Sequence, residues 1–216
     1  MNVALIAHLN KGLFSPLFFF CKFLKQFYNS KNPRIVNCDK ITNLIETAEN
    51  VYVCTDWHLW KANKEGVFVK AKHFDQVMEN IEKLKENDLL IFLGDLVDDE
   101  FPDKKAVKKV LKQIKCRKII TMGNNDVYKE KFYRKHFDIV VDAFRYQDLV
   151  FSHYPLANFE KEFNIHGHIH GSEHYFDFCP RNIDVYRKTG DFVNLNEILK
   201  AVEEGFVNNY GDVIKR

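Results

Sequence analysis

From residue 51 onward the apolar and polar positions fall into two alternating periods. Val51-Tyr52-Val53-Cys54-Thr55, Leu89-Leu90-Ile91-Phe92-Leu93 and Lys118-Ile119-Ile120-Thr121-Met122 are short runs of buried-strand length. Between the first two, Phe74, Val77, Met78, Ile81 and Leu84 recur at helical spacing over residues 74–85, and residues 104–115 carry the same pattern between the second and third. Strand, helix, strand, helix, strand predicts an α/β domain with a parallel sheet. After residue 138 the texture changes. Ile139-Val140-Val141, Phe144-Arg145-Tyr146 and Leu149-Val150-Phe151-Ser152 are short strands with tight connections, which predicts antiparallel hairpins in a second sheet. Further strands are predicted near 175–178 and 183–185. Asn194 with Glu197 three residues on has the form of a capping box opening a helix through Leu195, Ile198, Leu199 and Val202.

The first fifty residues are different. Ser15-Pro16 has the form of an N-cap followed by proline at the first helical position. Leu17, Phe20, Phe23, Leu24, Phe27 and Tyr28 then recur on one face, with Lys22, Lys25, Gln26 and Asn29 opposite. Lys22 cuts this run short of the roughly 20 apolar residues that a membrane-spanning helix needs, so no transmembrane segment is expected. No small-residue cleavage site comes after it, as a signal peptide would require. Such an aromatic face either packs on the main domain or docks a partner or membrane surface. A second short helix is predicted over 39–48. The expected division is a helical, aromatic-rich extension at 1–47 and a main domain at 48–216.

Composition narrows the class. With 46% hydrophobic and 29% charged residues the chain reads as soluble and globular, and a net charge of +2 is too small to argue for nucleic acid or membrane. The five cysteines are scattered without CxxC spacing, against a disulfide framework or zinc knuckle, which suits a reducing cytoplasm. Lys104, Lys105, Lys108, Lys109, Lys112, Lys115, Arg117 and Lys118 crowd one stretch, with Val107, Val110, Leu111 and Ile114 on the opposite side of the same helix. The plain reading is a solvated helix face; the other is a nuclease's phosphate-binding surface.

The candidate chemistry sits just past the carboxyl end of each predicted strand. Asp56-Trp57-His58 stands after the first, Gly94-Asp95-Leu96-Val97-Asp98 after the second, and Gly123-Asn124-Asn125-Asp126 after the third. In open α/β sheets that edge is where ligands bind. His153 lies past a fourth strand, and His166-Gly167-His168-Ile169-His170 comes next. In extended chain, side chains two apart share one side, so the three histidines of this run are expected to face together. Neutral imidazoles are common metal ligands.

In order, Asp56, His58, Asp95, Asn124, His153, His168 and His170 form a set that resembles the calcineurin-like metallophosphoesterases, whose motifs run D-x-H, GD-x-x-D, GN-H-D, a lone His and GH-x-H. The likeness covers about residues 51–205. Ser152-His153-Tyr154-Pro155-Leu156 and Asn182-Ile183-Asp184-Val185 ahead of Leu195-Asn196-Glu197-Ile198 look like a compact bacterial and phage subgroup. The resemblance implies a four-layer α/β/β/α sandwich of two mixed sheets flanked by helices. It implies one ion on Asp56, His58 and His170, a second on Asn124, His153 and His168, and Asp95 shared between them. A hydroxide bridging two divalent metals would then attack phosphorus in line, in a phosphomono- or phosphodiester of a nucleotide-like small molecule. With no cysteine among the donors, Mn²⁺ or Fe²⁺ is the first expectation, Zn²⁺ or Ni²⁺ the second. Asp98 and Asp126 are candidates to accept the free N–H of a histidine ligand, although Asp98 also reads as a solvated loop acid. Trp57 reads as packing, Trp60 as either packing or substrate stacking, and His166 as structural.

One position departs from the family pattern. Asn125 stands where most members have a histidine that steadies the phosphoryl group and protonates the leaving oxygen. Asn can donate a hydrogen bond there but no proton at neutral pH. With Asp95, Asn125 and Asp126 as its catalytic candidates, the chain is expected to favour good leaving groups and diesters, with His73, His166 or His174 as possible substitutes. The alternatives are a non-catalytic metal-binding interaction scaffold of the same fold, or the nuclease.

Overall fold

The computed structural model describes residues 33–98, 101–156, 162–170, 182–185 and 190–204. The chain forms two compact units, Met1–Pro33 and Arg34–Arg216, and all described residues but Pro33 belong to the second. The helix expected after Ser15, the strand expected at 175–178 and His174 lie outside the described residues.

Strand β1 (Ile35–Val36) and helix α1 (Asp39–Glu46) lead into β2 (Val51–Cys54). A small hairpin of β3 (Trp60–Ala62) and β4 (Phe68–Lys70) precedes α2 (Phe74–Lys83) and β5 (Leu89–Phe92). Then come α3 (Lys104–Leu111), β6 (Arg117–Thr121), the single turn α4 (Glu130–Tyr133) and β7 (Ile139–Val141). The rest is β8 (Ala143–Tyr146), β9 (Leu149–Ser152), β10 (Phe163–His166), β11 (Asn182–Asp184), β12 (Val193–Asn194) and α5 (Leu195–Glu203).

One sheet has the order β12-β2-β5-β6-β7, parallel except for the edge strand β12. The other runs β1-β8-β9-β10-β11, with an antiparallel β8–β9 hairpin and parallel pairing elsewhere. Strand β5 shows why its sequence is apolar without interruption. Its alternate residues face two cores. Leu89 and Ile91 join Phe144, Phe151, Ile165 and Ile183 of the second sheet. Leu90 and Phe92 join Val77 and Ile81 of α2 and Val107 and Leu111 of α3. The fold is therefore the expected α/β sandwich of two mixed sheets with helices. Helix α1 contributes Ile41, Leu44 and Ile45 to the core between the sheets, and α5 contributes Leu195 and Ile198. At the start of α5, Asn194 caps as expected, its side-chain oxygen accepting from Asn196 N at 2.9 Å.

One expectation is corrected. Residues 139–141 do not join an antiparallel second sheet: β7 runs parallel to β6 in the first, with Ile120 opposite Val140. Only residues 143–152 form the hairpin, with Ala143 opposite Ser152. The single residue Asp142 carries the chain from one sheet to the other. A three-residue apolar run says nothing about which sheet it joins, and so short a link looks like a hairpin turn. The β3–β4 hairpin gave no clear signal either, because Lys61, Lys64, Glu65 and Lys70 interrupt its alternation. Its turn is built by Asn63, whose side-chain oxygen accepts from Glu65 N (3.0 Å) and Val67 N (2.9 Å).

Candidate metal centre

The parallel strands β2, β5 and β6 end at one edge, and β9 and β10 of the second sheet end against it. The loops after β2 and β5 are joined by backbone bonds: Asp56 N to Gly94 O at 2.9 Å, His58 N to Asp95 O at 3.0 Å and Leu59 N to Leu96 O at 3.1 Å. Gly94 has φ +90°, and a Cβ there would lie 2.7 Å from Gly123 N, so a side chain would force the second and third loops apart. Gly167 is equally constrained, since a Cβ would collide with Thr55 Oγ1 and the Asp56 carboxylate. That closeness lets His168 N donate to Asp56 Oδ2 at 2.9 Å, tying the second sheet to the first.

Backbone strain gathers at the same place. Among the described residues six non-glycine residues have positive φ, and five of them are Asp56 (52°), His58 (39°), Asp95 (61°), His168 (70°) and His170 (51°). Left-handed backbone costs roughly 1–2 kcal/mol for a residue with a Cβ. The fold holds these residues there against that cost, as strained backbone at functional sites typically is.

Six of the side chains form two groups, Asp56 with His58 and His170, and Asp95 with His153 and His168, the donor atoms of each lying within 4.8 Å of one another. In the first, His170 Nε2 is 3.0 Å and His58 Nε2 3.6 Å from Asp56 Oδ1. In the second, His153 Nε2 lies 3.1 Å from His168 Nδ1 and 3.1 Å from Asn124 Oδ1. Asp95 stands between them. Its Oδ2 is 3.6 Å from His58 Nε2, and its Oδ1 is 3.5 Å from His153 Nε2.

Surrounding groups set the protons. His153 Nδ1 lies 2.7 Å from Leu93 O, a pure acceptor, so Nδ1 carries the hydrogen and Nε2 turns a lone pair to the centre. His58 Nδ1 lies 2.8 Å from Asp98 Oδ1, which leaves its Nε2 facing Asp56 and Asp95. Burial pushes His168 down to about 3, so its imidazole is neutral and available as a ligand. Burial works to raise Asp56, but hydrogen bonds from His170 and His58 outweigh it and hold the carboxyl well below the usual range. Burial opposes charge on His58, and Asp56 and Asp95 more than offset it, raising its pKa. Imidazoles, carboxylates, an amide oxygen and no thiolate together fit divalent cations of hard or borderline character.

The remaining expected residues separate by position. Asp98 does pair with a histidine. Asp126 does not: its Oδ2 accepts from Asp95 N (3.0 Å) and Gly123 N (2.8 Å), and its Oδ1 from Leu96 N (3.2 Å). It ties the second and third loops together, and burial with the neighbouring Asp95 charge raises its carboxyl against those bonds. Asn125 donates its backbone N–H to Asp95 Oδ1 at 2.9 Å and its amide Nδ2 to Asp95 Oδ2 at 2.8 Å. Trp57 is core, against Phe92 and stacked on Phe192. Trp60 stacks on Phe101 at 4.7 Å and meets Phe74 edge-on. His73 bonds through Nε2 to the backbone oxygen of Trp57.

The histidine run does not stay extended. Strand β10 ends at His166, which is fully buried with Nδ1 2.8 Å from Gly167 O and is pushed down to about 4 by burial. His168 and His170 come next in left-handed backbone and go to different groups. The turn sends the two side chains to separate groups.

Residues 49–213 match the family model for calcineurin-like phosphoesterases. The chain belongs to the calcineurin-like phosphoesterase family. No curated protein matches it. Among solved structures, a protein of unknown function from Aquifex aeolicus is similar with a TM-score of 0.52 at 22% identity, over 70% of this chain and 98% of that one. That likeness supports the fold. Nuclease MPE from Pseudomonas putida is more distant, with a TM-score of 0.42 at 21% identity over 56% of this chain and 61% of that one.

Proposed function

We propose that the protein is a phosphoric ester hydrolase working with two divalent cations, cleaving phosphomono- or phosphodiester bonds in nucleotide-like small molecules. One observation carries this reading: the two oxygens of buried Asp95 face different histidines, His58 and His153, each in its own ligand group. Asp56, His58 and His170 would hold one cation, Asn124, His153 and His168 the other, and Asp95 both. Mn²⁺ or Fe²⁺ suits these donors best, with Zn²⁺ or Ni²⁺ next. When bound, such ions supply Lewis acidity at the phosphoryl oxygens and lower the pKa of bound water. The chain's own contributions are orientation and charge. Leu93 O fixes the His153 tautomer, Asp98 aims His58, Asp126 locks two loops, and Asn125 steadies Asp95. With two cations bound, Asp56 and Asp95 would be the only two carboxylates among the seven donors set against four positive charges, and the excess would attract a phosphate.

Asn125 supplies no proton, so good leaving groups and diesters are favoured. Manganese-loaded protein is expected to hydrolyse bis-p-nitrophenyl phosphate faster than p-nitrophenyl phosphate; the reverse order contradicts this preference. The Asp98→Ala variant leaves His58 without its aligning carboxylate. Outer partners of metal ligands are typically worth about 10–100-fold in affinity, and a loss of that size in calorimetric manganese titration is the expected result.

A nuclease reading has its own observation, eight basic and no acidic residues over 104–118. Phosphate-backbone binding falls steeply with salt, so DNA binding that is weak and indifferent to salt would remove it.

A further inference from the structure

We propose that Tyr154 contacts the substrate, its neutral phenol donating a hydrogen bond to a phosphoryl oxygen of the bound ester. This rests on the phosphoesterase reading. Tyr154 directly follows His153, and its ring centroid lies 4.9 Å from that of His153 and 4.8 Å from that of His168. Those two imidazoles are themselves 5.0 Å apart, so the three rings form a closed triangle. The phenol therefore rides on both histidines of the second ligand group.

Its position is fixed from behind. Ser152 Oγ donates to Tyr154 O at 2.6 Å, and buried Asn164 Nδ2 donates to Ser152 Oγ at 2.8 Å. Asn164 also donates to Val150 O at 3.0 Å and accepts from Leu156 N at 2.7 Å, gripping the loop on both sides of Tyr154. The side chain itself is only half-buried, so it keeps an open side.

The ring stands directly beside the second group of donors. Other phenols of the domain are engaged inside the fold: Tyr128 donates to Phe101 O at 2.7 Å, and Tyr133 to Asp126 Oδ1 at 3.4 Å. A phenol is protonated at neutral pH and so remains a donor. The Asn125 amide, by contrast, is committed to Asp95.

The Tyr154→Phe variant keeps the ring on both imidazoles and removes only the hydroxyl. Manganese content, thermal midpoint, affinity for inorganic phosphate by calorimetry, and kcat on bis-p-nitrophenyl phosphate are compared with wild type. The expected result is unchanged metal content and midpoint, phosphate affinity weaker by about tenfold, and kcat lower by at least about tenfold with a smaller change in KM. Unchanged phosphate affinity and kcat overturn the proposal. Loss of metal also overturns it, since the hydroxyl would then serve the ligands and not the substrate. Failure of the wild type to hydrolyse any ester contradicts the phosphoesterase reading instead, and the phosphate affinities still judge Tyr154.

Discussion

Replacing Asp95 by Asn is expected to lower turnover by about 10³-fold or more, equivalent to about 4 kcal/mol of barrier at 1.36 kcal/mol per decade. Asp95 is 1% exposed and lies in left-handed backbone, with one oxygen 3.6 Å from His58 Nε2 and the other 3.5 Å from His153 Nε2. An amide of the same shape keeps one oxygen and turns an N–H₂ donor towards the other imidazole. It also removes one of two carboxylates that offset two divalent charges. The second cation is the one to go, so calorimetry with manganese is expected to show about one equivalent bound tightly where wild type shows two. The fold should survive, because the substitution is isosteric and relieves the charge that raises Asp126. Full turnover in a folded Asp95→Asn variant would leave only the non-catalytic scaffold or an unrelated site.

The Asn125→His variant is expected to gain. Installing a group able to give a proton to the leaving oxygen is worth about 10²–10⁴-fold in general acid catalysis, and the lower end is the prediction for an alkyl phosphodiester. Turnover of the bis-aryl ester should change far less, because its leaving group needs no proton. The measurement is the slope of log kcat against leaving-group pKa, which is expected to flatten. There is an opposing effect. The Asn125 amide donates to Asp95 Oδ2 at 2.8 Å, and histidine loses that bond while the backbone N–H to Oδ1 remains. Metal affinity therefore falls somewhat as turnover of poor leaving groups rises. An unchanged slope would show that proton delivery is not what limits this chain.

Particular residues show how far the sequence spoke for the fold. The runs that became β2, β5 and β6 were legible because a strand buried on both faces is apolar throughout, and the helices between them repeat at helical spacing. Their carboxyl ends carried Asp56, His58, Asp95 and Asn124, so the edge where these side chains gather was legible from residue order alone. Strand β7 was assigned to the wrong sheet, since pairing partners are set by tertiary packing that Ile139-Val140-Val141 does not encode. The histidine run does not keep the geometry that its alternation predicts. Alternation predicts one shared side only while the chain stays extended, and the backbone enters the left-handed region at His168 and His170. Asp126 has the sequence neighbourhood of a histidine partner, yet its carboxylate serves three backbone N–H groups.

The shared aspartate is tested most directly by crystals of manganese-loaded protein, with the ions located by anomalous scattering. Two peaks about 3.5–4 Å apart are predicted, one among Asp56, His58 and His170, the other among Asn124, His153 and His168, with a carboxylate oxygen of Asp95 on each. A single peak, or none within reach of Asp95, would contradict it.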